Sequence, residues 1–278
     1  MTVALRTKRL GTETSGRLRR FYFFPALLFV LILPSLTVIS CASVQLQDAT
    51  ERNSWEQICP GADYTSVTVE KSDDRTALRY HVVRIDLTAP TLRLLVNPHR
   101  KEAAVSCNTT PFRGGFFQKK QPLGIMQVQG KELSPPNARY DALVLQKTDS
   151  GYRARIAHGQ QLERTDNDTY AFGGYWQILK DGDVIRSFAQ NRDARTACGI
   201  SKDEKMLYLL VVEGNFLLGH RHERGLTYSE CAELLLEYGA YNALEFDGGS
   251  SSQLFIRGKN MLSYPALVHT PTTLGFAF

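Results

Sequence analysis

The chain reads Ala-Leu-Glu-Phe-Asp-Gly-Gly-Ser-Ser-Ser over residues 243–252, a short apolar strand that ends in an acid, two glycines and three hydroxyls. Glycine adopts positive φ and lets backbone amides approach a ligand closely, and a nest of such amides binds anions. Asp247 lies at the mouth of this predicted nest. A carboxylate beside an anion-binding loop indicates a sugar or phosphate between the two. The segment alone is equally compatible with a tight Asp-Gly-Gly hairpin turn.

The sequence before this segment predicts a helix, a short loop and then the strand. Thr227 and Glu230 have the spacing of a capping box, apolar residues follow at helical spacing, and Gly239 ends the helix. Further upstream, Arg195–Ile200 and Met206–Val212 read as two strands joined by a polar turn. We therefore expect the helix to pack on a sheet that contains these strands, with the nest at an open strand end.

Four motifs occur in a fixed order along the chain. They are Arg-Thr-Ala from Arg195, an acidic-Gly pair at Glu213, Gly-Leu-Thr from Gly225 and Asp-Gly-Gly-Ser-Ser from Asp247. In these motifs and their order the chain resembles the phosphodiester glycosidase family. The resemblance extends from about Trp55 to the C-terminus, and an ordered set of motifs is far more specific than any one of them.

The chain departs from the family pattern at three places. Residues 108–112 read Asn-Thr-Thr-Pro-Phe where the family usually has Asn-Gly-Gly-Phe-Phe. Glu213 stands where an Asp is more usual, and Ser250 replaces the third glycine of the nest. These changes bear on the substrate more than on the fold.

The resemblance implies hydrolysis of a glycosyl-1-phosphodiester, a sugar–phosphate linkage. Such a bond breaks at the anomeric carbon through an oxocarbenium-like transition state, with positive charge growing on the ring and negative charge on the departing phosphate. The site therefore needs a carboxylate and an anion-binding group together. We expect Asp247 or Glu213 to face the cation or activate water, and Arg195 to bind the phosphate through its forked N–H groups.

A second set of residues is expected to bind the substrate: Asn108, Gly248, Gly249, Ser250 and Ser251. No cofactor is predicted. The cysteines lack the Cys-x-x-Cys spacing of zinc sites, and the pair His220 and His222 in a charged loop is weak evidence for a metal, so no metal site is predicted.

Each assignment has a structural alternative. Arg195 is alternatively a buried arginine that pairs with Asp247, Glu213 a residue that caps a loop, and Asn108 a residue that caps its own turn. His81 lies in an alternating strand and reads as a core or surface position. At the level of the whole protein, loss of the nest's third glycine favours a noncatalytic carbohydrate-binding or adhesion lipoprotein on the same scaffold.

The N-terminus reads as a lipoprotein signal. Six basic residues precede an apolar run over residues 21–33, and Val-Ile-Ser-Cys at 38–41 fits a bacterial lipobox. We predict a signal peptide over residues 1–40, a lipidated tether over 41–54 that begins at Cys41, and one domain over 55–278. The alternative is an uncleaved membrane anchor, since about twenty residues suffice to span a bilayer. The lipobox places the domain outside the cytoplasm, attached to a bacterial membrane.

Charge and patterning limit the remaining classes. Residues 1–40 hold six of the 33 basic and one of the 28 acidic side chains, so 27 of each remain. A folded part without net charge does not support nucleic-acid binding, which needs a basic face. Alternating β-branched and aromatic segments surround one long predicted helix. We therefore predict an α+β domain with a mixed β-sheet core and few helices.

Overall fold

The computed structural model describes residues 54–69, 78–98, 109–112, 116–118, 121–162, 166–188, 190–214, 225–265 and 272–278. The predicted signal peptide, Cys41, nearly all of the predicted tether and Asn108 lie outside the described residues. No helix in the described ranges is long and apolar enough to cross a membrane.

The described chain is built mainly of strands. In chain order they are β1 Glu56–Cys59, β2 Ala62–Val69, β3 Leu78–Asp86, β4 Arg93–Pro98, β5 Thr109–Phe112, β6 Phe116–Gln118, β7 Gln121–Leu123, β8 Met126–Val128, β9 Lys131–Ser134, β10 Ala142–Thr148, β11 Gly151–Ala157, β12 Thr169–Gly173, β13 Gln177–Lys180, β14 Asp183–Val184, β15 Arg195–Ile200, β16 Met206–Val212, β17 Asn242–Glu245, β18 Phe255–Ile256, β19 Lys259–Asn260 and β20 Thr272–Ala277. Helix α1 spans Tyr228–Glu237, and short 3-10 turns span His158–Gln160 and Gly249–Ser251.

Two sheets dominate the fold. The larger has eight strands in the order β1-β2-β3-β16-β15-β17-β13-β14, and the second has five in the order β11-β10-β12-β8-β9. Smaller sheets join β4-β20-β5, β6-β7 and β18-β19. The strand pairs formed by the described residues are antiparallel.

The predicted sheet core with few helices is confirmed, but the protein contains more β-structure than the predicted α+β class conveys. The reason is visible in β16, whose residues Leu207–Val212 are buried on both faces. Leu209 and Val211 pack between the two large sheets, whereas Leu210 and Val212 pack under the helix. A strand covered on both sides reads as a continuous apolar run, so its period does not reveal how many strands surround it.

The predicted helix and its packing are confirmed. Thr227 is the N-cap, its side chain accepts from the Glu230 amide, and the Glu230 side chain accepts from the Thr227 amide. Leu235 is fully buried in the core beneath α1. The helix packs on β13, β15, β16 and β17, so it covers one face of the larger sheet beside the strand that ends at Glu245.

Candidate active site

The sequence motifs meet at one end of three neighbouring strands. Because β15 is antiparallel to both β16 and β17, its first residues lie beside the last residues of those two strands. Arg195 is opposite Val212, and Ala197 is opposite Glu245. The Phe246 amide then donates to the Thr196 carbonyl at 2.8 Å. Residues separated by some fifty positions along the chain are thus brought to one sheet edge.

The two faces of the sheet divide the predicted catalytic residues. Arg195 lies opposite Val212, which packs on the helix side. Glu213 follows Val212 and contacts His81, which lies opposite Val211 on the face between the sheets. Because side chains alternate along a strand, Arg195 and Glu213 lie on opposite faces. Arg195 and Glu213, which were both expected to act in one site, therefore do not share a face of the sheet.

Arg195 is held firmly on the helix side. Its side chain is only 5% exposed, and Nε donates to the Leu226 carbonyl at 2.9 Å. One terminal nitrogen, Nη2, donates to the Asn191 carbonyl at 2.7 Å, and Cζ lies 4.0 Å from the centre of the Tyr228 ring. Two carbonyls and an aromatic face thus fix the plane of the guanidinium and desolvate its charge.

Glu245 is a site residue that the sequence analysis did not single out. It is 1% exposed, and neither carboxyl oxygen makes a hydrogen bond of good geometry with the described residues, although the Thr196 backbone lies close enough to favour the ionised form. Burial raises the pKa of Glu245 to about 8; the Arg195 charge opposes this rise and the Asp247 charge adds to it. The carboxyl is therefore mostly protonated at neutral pH. Its one sequence signal is an acid among apolar strand residues, two positions before Asp247.

Asp247 lies near Glu245 in a wetter environment. Its side chain is half-buried, at the point where the chain leaves β17. The pKa of Tyr175 is raised, first by burial and then by the nearby Asp247 charge. The Tyr175 amide donates to the Glu245 carbonyl at 2.7 Å, which ties the tyrosine to the same strand end. Two carboxyls in unlike surroundings, one dry and one partly solvated, are suited to opposite proton-transfer roles.

Half-buried aromatic rings adjoin these charges. The five rings form a continuous cluster: Tyr140, Tyr175, Trp176, Phe188 and Tyr228. Tyr175 stacks on Trp176 with ring centres 4.8 Å apart, and Trp176 stacks on Phe188 at 5.6 Å. We name these five residues the aromatic cluster. It gives the site a broad, partly exposed apolar surface beside Arg195, whose guanidinium lies on Tyr228.

The backbone requires glycine at two positions of the predicted nest. A Cβ on Gly248 would lie 2.6 Å from the Ala194 carbonyl oxygen, and Gly249 has φ of +57°. The Gly249 amide donates to Ala194 at 2.8 Å, and the Ser251 amide donates to Gly248 at 3.0 Å. These two amides bind carbonyls in the structure, so only part of the predicted nest is available to an anion. Ser250 is exposed and Ser251 is buried.

Glu213 is saturated with internal contacts. His81 Nε2 lies 2.9 Å from Oε1, the Ser263 amide donates to Oε1 at 3.0 Å, and the Ser263 hydroxyl donates to Oε2. Tyr64 Oη in turn lies 2.8 Å from His81 Nδ1. Burial alone would raise the pKa of Glu213, but the bonds from His81 and Ser263 lower it. This geometry favours the loop-capping alternative for Glu213, and it places His81 in the core, one of the two positions expected for it.

Gly-Leu-Thr connects the helix to the Arg195 strand. Gly225 has φ of +110°, and a Cβ there would lie 1.9 Å from the Asp193 carbonyl oxygen. Leu226 exchanges backbone hydrogen bonds with Asp193, while its carbonyl accepts from Arg195. The motif therefore positions Arg195 and begins α1 at the same time. Within the described ranges, no group of three or more His, Cys, Asp or Glu side chains could hold a metal ion.

Comparison with known families agrees with these motifs. The family model described as phosphodiester glycosidase matches residues 105–277, which is more than half of the chain. This chain belongs to the phosphodiester glycosidase family. The match begins later than the residue near position 55 from which the sequence resemblance was expected to run. No curated protein matches the chain in sequence.

Solved structures share the fold of this phosphodiester glycosidase family member. A hypothetical protein from Synechocystis has a TM-score of 0.57 at 14% identity, over 81% of this chain and 64% of its own, so this chain spans just under two thirds of it. The catalytic domain of zebrafish N-acetylglucosamine-1-phosphodiester alpha-N-acetylglucosaminidase, auto-inhibited by its pro-peptide, has a TM-score of 0.57 at 17% identity. The match covers 81% of this chain and 85% of the zebrafish domain. A putative exported protein from Burkholderia pseudomallei has a TM-score of 0.51 at 12% identity, over 75% of each chain. At these identities the likeness is one of fold.

Proposed function

We propose that this phosphodiester glycosidase family member hydrolyses a glycosyl-1-phosphodiester in the bacterial cell envelope. The observation that carries the proposal is the buried carboxyl of Glu245, which makes no hydrogen bond of good geometry with the described residues and interacts with the charges of Arg195 and Asp247. A carboxyl without hydrogen-bond partners is costly to bury, and such groups mark sites where a strongly shifted pKa is used. Family membership supplies the reaction class, and this carboxyl supplies a proton donor for it.

Proton transfer assigns the two carboxyls different roles. Glu245, neutral at pH 7, donates its proton to the phosphate oxygen as the bond from the anomeric carbon to that oxygen breaks. Asp247, half-buried at the mouth of the site, takes a proton from the water whose oxygen bonds to the anomeric carbon. The products are a free sugar and a phosphate monoester. Asp247 then releases its proton to solvent, and Glu245 takes up a proton from solvent.

Arg195 stabilises the negative charge that grows on the departing phosphate. Its Nε and Nη2 donate to the carbonyls of Leu226 and Asn191, so these two nitrogens are already engaged. We therefore assign it a single-pronged contact in place of the forked grip predicted from the sequence. A charge fixed in a partly desolvated position needs little reorganisation during the reaction, which is what makes such groups effective.

The aromatic cluster supports a ring-binding role. A sugar ring has apolar C–H faces and polar edges, and half-exposed tyrosine and tryptophan rings offer an apolar face with a polar tip. Tyr175 and Trp176 are stacked together beside the strand end that carries Glu245. We assign this pair to the sugar, with the phosphate toward Arg195. The substrate partner is therefore a phosphodiester-linked glycan, and no cofactor is assigned.

Location follows from the N-terminal sequence alone. The basic residues, the apolar run and the lipobox at Cys41 support export and attachment to a bacterial membrane through an acylated cysteine. A lipid-anchored hydrolase would meet its substrate among the phosphodiester-linked glycans of the envelope.

The test is release of free sugar from a panel of sugar-1-phosphodiesters by the full-length chain. Asp247→Asn keeps the size of the side chain but removes its charge, so turnover is expected to fall at least about a hundredfold, or roughly 2.7 kcal/mol of barrier. Asp203→Asn is the matched control, because Asp203 lies in the exposed turn between β15 and β16, at the other end of the strands.

Two results would contradict the proposal in different ways. Equal turnover by folded wild type and Asp247→Asn would remove Asp247 from the chemistry. No sugar release by wild type over a broad panel would favour the noncatalytic carbohydrate-binding lipoprotein, in which Asp247→Asn changes affinity only.

A further inference from the structure

A cavity of about 430 Å³ lies on the outer side of the five-stranded sheet. It adjoins the small apolar cluster of Ile125, Ala142, Val144, Ala157 and Ala171. Its volume falls in the range of about 300–1,000 Å³ that small-molecule sites occupy. The candidate active site lies on the helix-bearing face of the other large sheet, so the cavity is a separate feature.

One polar group in this cavity is unsatisfied. Gln127 lines the cavity and is 2% exposed, yet its Nε2 has no hydrogen-bond partner in the described structure. Gln127 lies in β8 opposite Glu132 of β9, so both side chains project from the same face of the sheet, and Glu132 also lines the cavity. A buried amide donor without a partner lowers stability. A ligand that supplies an acceptor would offset this cost.

A second glutamine shows the contrast. Gln160, at the same cavity, is 1% exposed, and its Oε1 accepts from the Ile125 amide at 2.6 Å and the Asn137 amide at 2.7 Å. Its own backbone has φ of +56°, a left-handed conformation that few residues other than glycine adopt. Side-chain hydrogen bonds therefore hold a strained residue in the cavity wall. Strain maintained in this way is typical of ligand sites.

The lining selects a class of ligand. The described residues around the cavity include no Arg or Lys, and the Glu132 carboxylate repels an anion. A purely apolar ligand would leave Gln127 Nε2 unpaired, and an ammonium or guanidinium group would pair with Glu132 but would offer that amide no acceptor. A hydroxyl can accept from Gln127 and donate to Glu132 at once, while C–H groups pack on Ile125 and Leu162.

We propose that this cavity binds a ring of a neutral saccharide, held by Gln127 and Glu132 against the apolar wall. The inference does not depend on the hydrolytic reaction, since it uses none of the residues assigned to that reaction. It adds a glycan-binding site to a domain whose active site is elsewhere.

The experiment measures binding of neutral monosaccharides and disaccharides to the full-length chain by titration calorimetry and saturation-transfer NMR, with glucuronate as the anionic comparison. Gln127→Leu removes the donor and keeps an apolar shape, so the affinity for a neutral saccharide is expected to fall about tenfold or more. Hydrolysis of a sugar-1-phosphodiester should be unchanged by this substitution. Ala138→Trp, which fills the cavity, should also abolish binding.

Thermal unfolding separates a ligand role from a structural role. Gln127→Leu should keep or raise Tm, because it removes an unpaired buried donor, whereas Gln160→Leu should lower Tm, because it orphans two amides. Equal losses of Tm would show that Gln127 is structural and would overturn the proposal. So would undiminished binding by Gln127→Leu, tighter binding of glucuronate, or no binding of any neutral saccharide by wild type.

Discussion

Replacing Glu245 with Gln tests whether a buried, neutral acid is at the centre of the site. Gln has the size of the protonated carboxyl and cannot ionise. The substitution therefore preserves packing around a side chain that is 1% exposed, and it removes both the transferable proton and the titration. A structural role and a proton-donor role predict different results for stability and turnover.

The sign of the stability effect follows from the raised pKa. The ordinary value is 4.5 and the folded value is about 8, so both states are protonated below pH 4.5 and the folded state keeps its full stability there. Between those values the unfolded chain loses the proton and the folded chain keeps it. The free energy of unfolding then falls by about 1.4 kcal/mol per pH unit, on the order of 5 kcal/mol in total. Glu245→Gln lacks this loss.

The assay is urea unfolding of wild type and Glu245→Gln at intervals from pH 4.5 to 8.5. We expect the two curves to agree near pH 4.5 and the variant to become progressively more stable toward pH 8. In assays of the two folded proteins without urea, loss of the proton donor in Glu245→Gln should lower kcat about 10²–10⁴-fold. Wild-type kcat should itself decline as pH rises past about 8, where Glu245 loses its proton.

A stability difference that does not change with pH would contradict this prediction, because it would mean that Glu245 has the same pKa in both states. Normal turnover by a folded Glu245→Gln protein would separately show that the carboxyl donates no proton. The two readouts are independent, so the buried carboxyl can be established even if another group supplies the proton.

Three further predictions test other parts of the account. Arg195→Lys keeps the charge but loses the bonds to Leu226 and Asn191 and the stacking on Tyr228, so KM for a sugar-1-phosphodiester should rise about tenfold or more, while Lys205→Arg, on an exposed turn, should leave it unchanged. Leu235→Ala should lower the free energy of unfolding, measured in urea, by about 2–5 kcal/mol. Leu236→Ala, at the half-exposed neighbouring position, should lower it far less. Cys41→Ala should abolish incorporation of labelled fatty acid and leave a heavier precursor on gels; absence of label in the wild type would show that the chain is not a lipoprotein.

Features that depend on a few neighbouring residues were predictable from the sequence. The capping box of Thr227 and Glu230 and the helix that follows lie within one local pattern, and both are present as predicted. The sequence likewise predicted that β16 and β17 belong to one sheet beneath the helix, whereas the position of β15 between them was not predicted. Of the two glycines of the predicted nest, only Gly249 has the expected positive φ, and two nearby amides bind carbonyls.

The properties that decide the chemistry came only from the tertiary structure. The pKa of Glu245 is raised by burial and by the Asp247 charge and is lowered by the Arg195 charge, so its value depends on groups that the fold brings together from distant parts of the chain. The separation of Arg195 from Glu213 depends on which face of a sheet is covered by which layer, and β16, buried on both faces, gives no sign of it along the sequence. Spacing along a chain specifies local conformation, whereas burial and electrostatic environment depend on every segment that packs nearby.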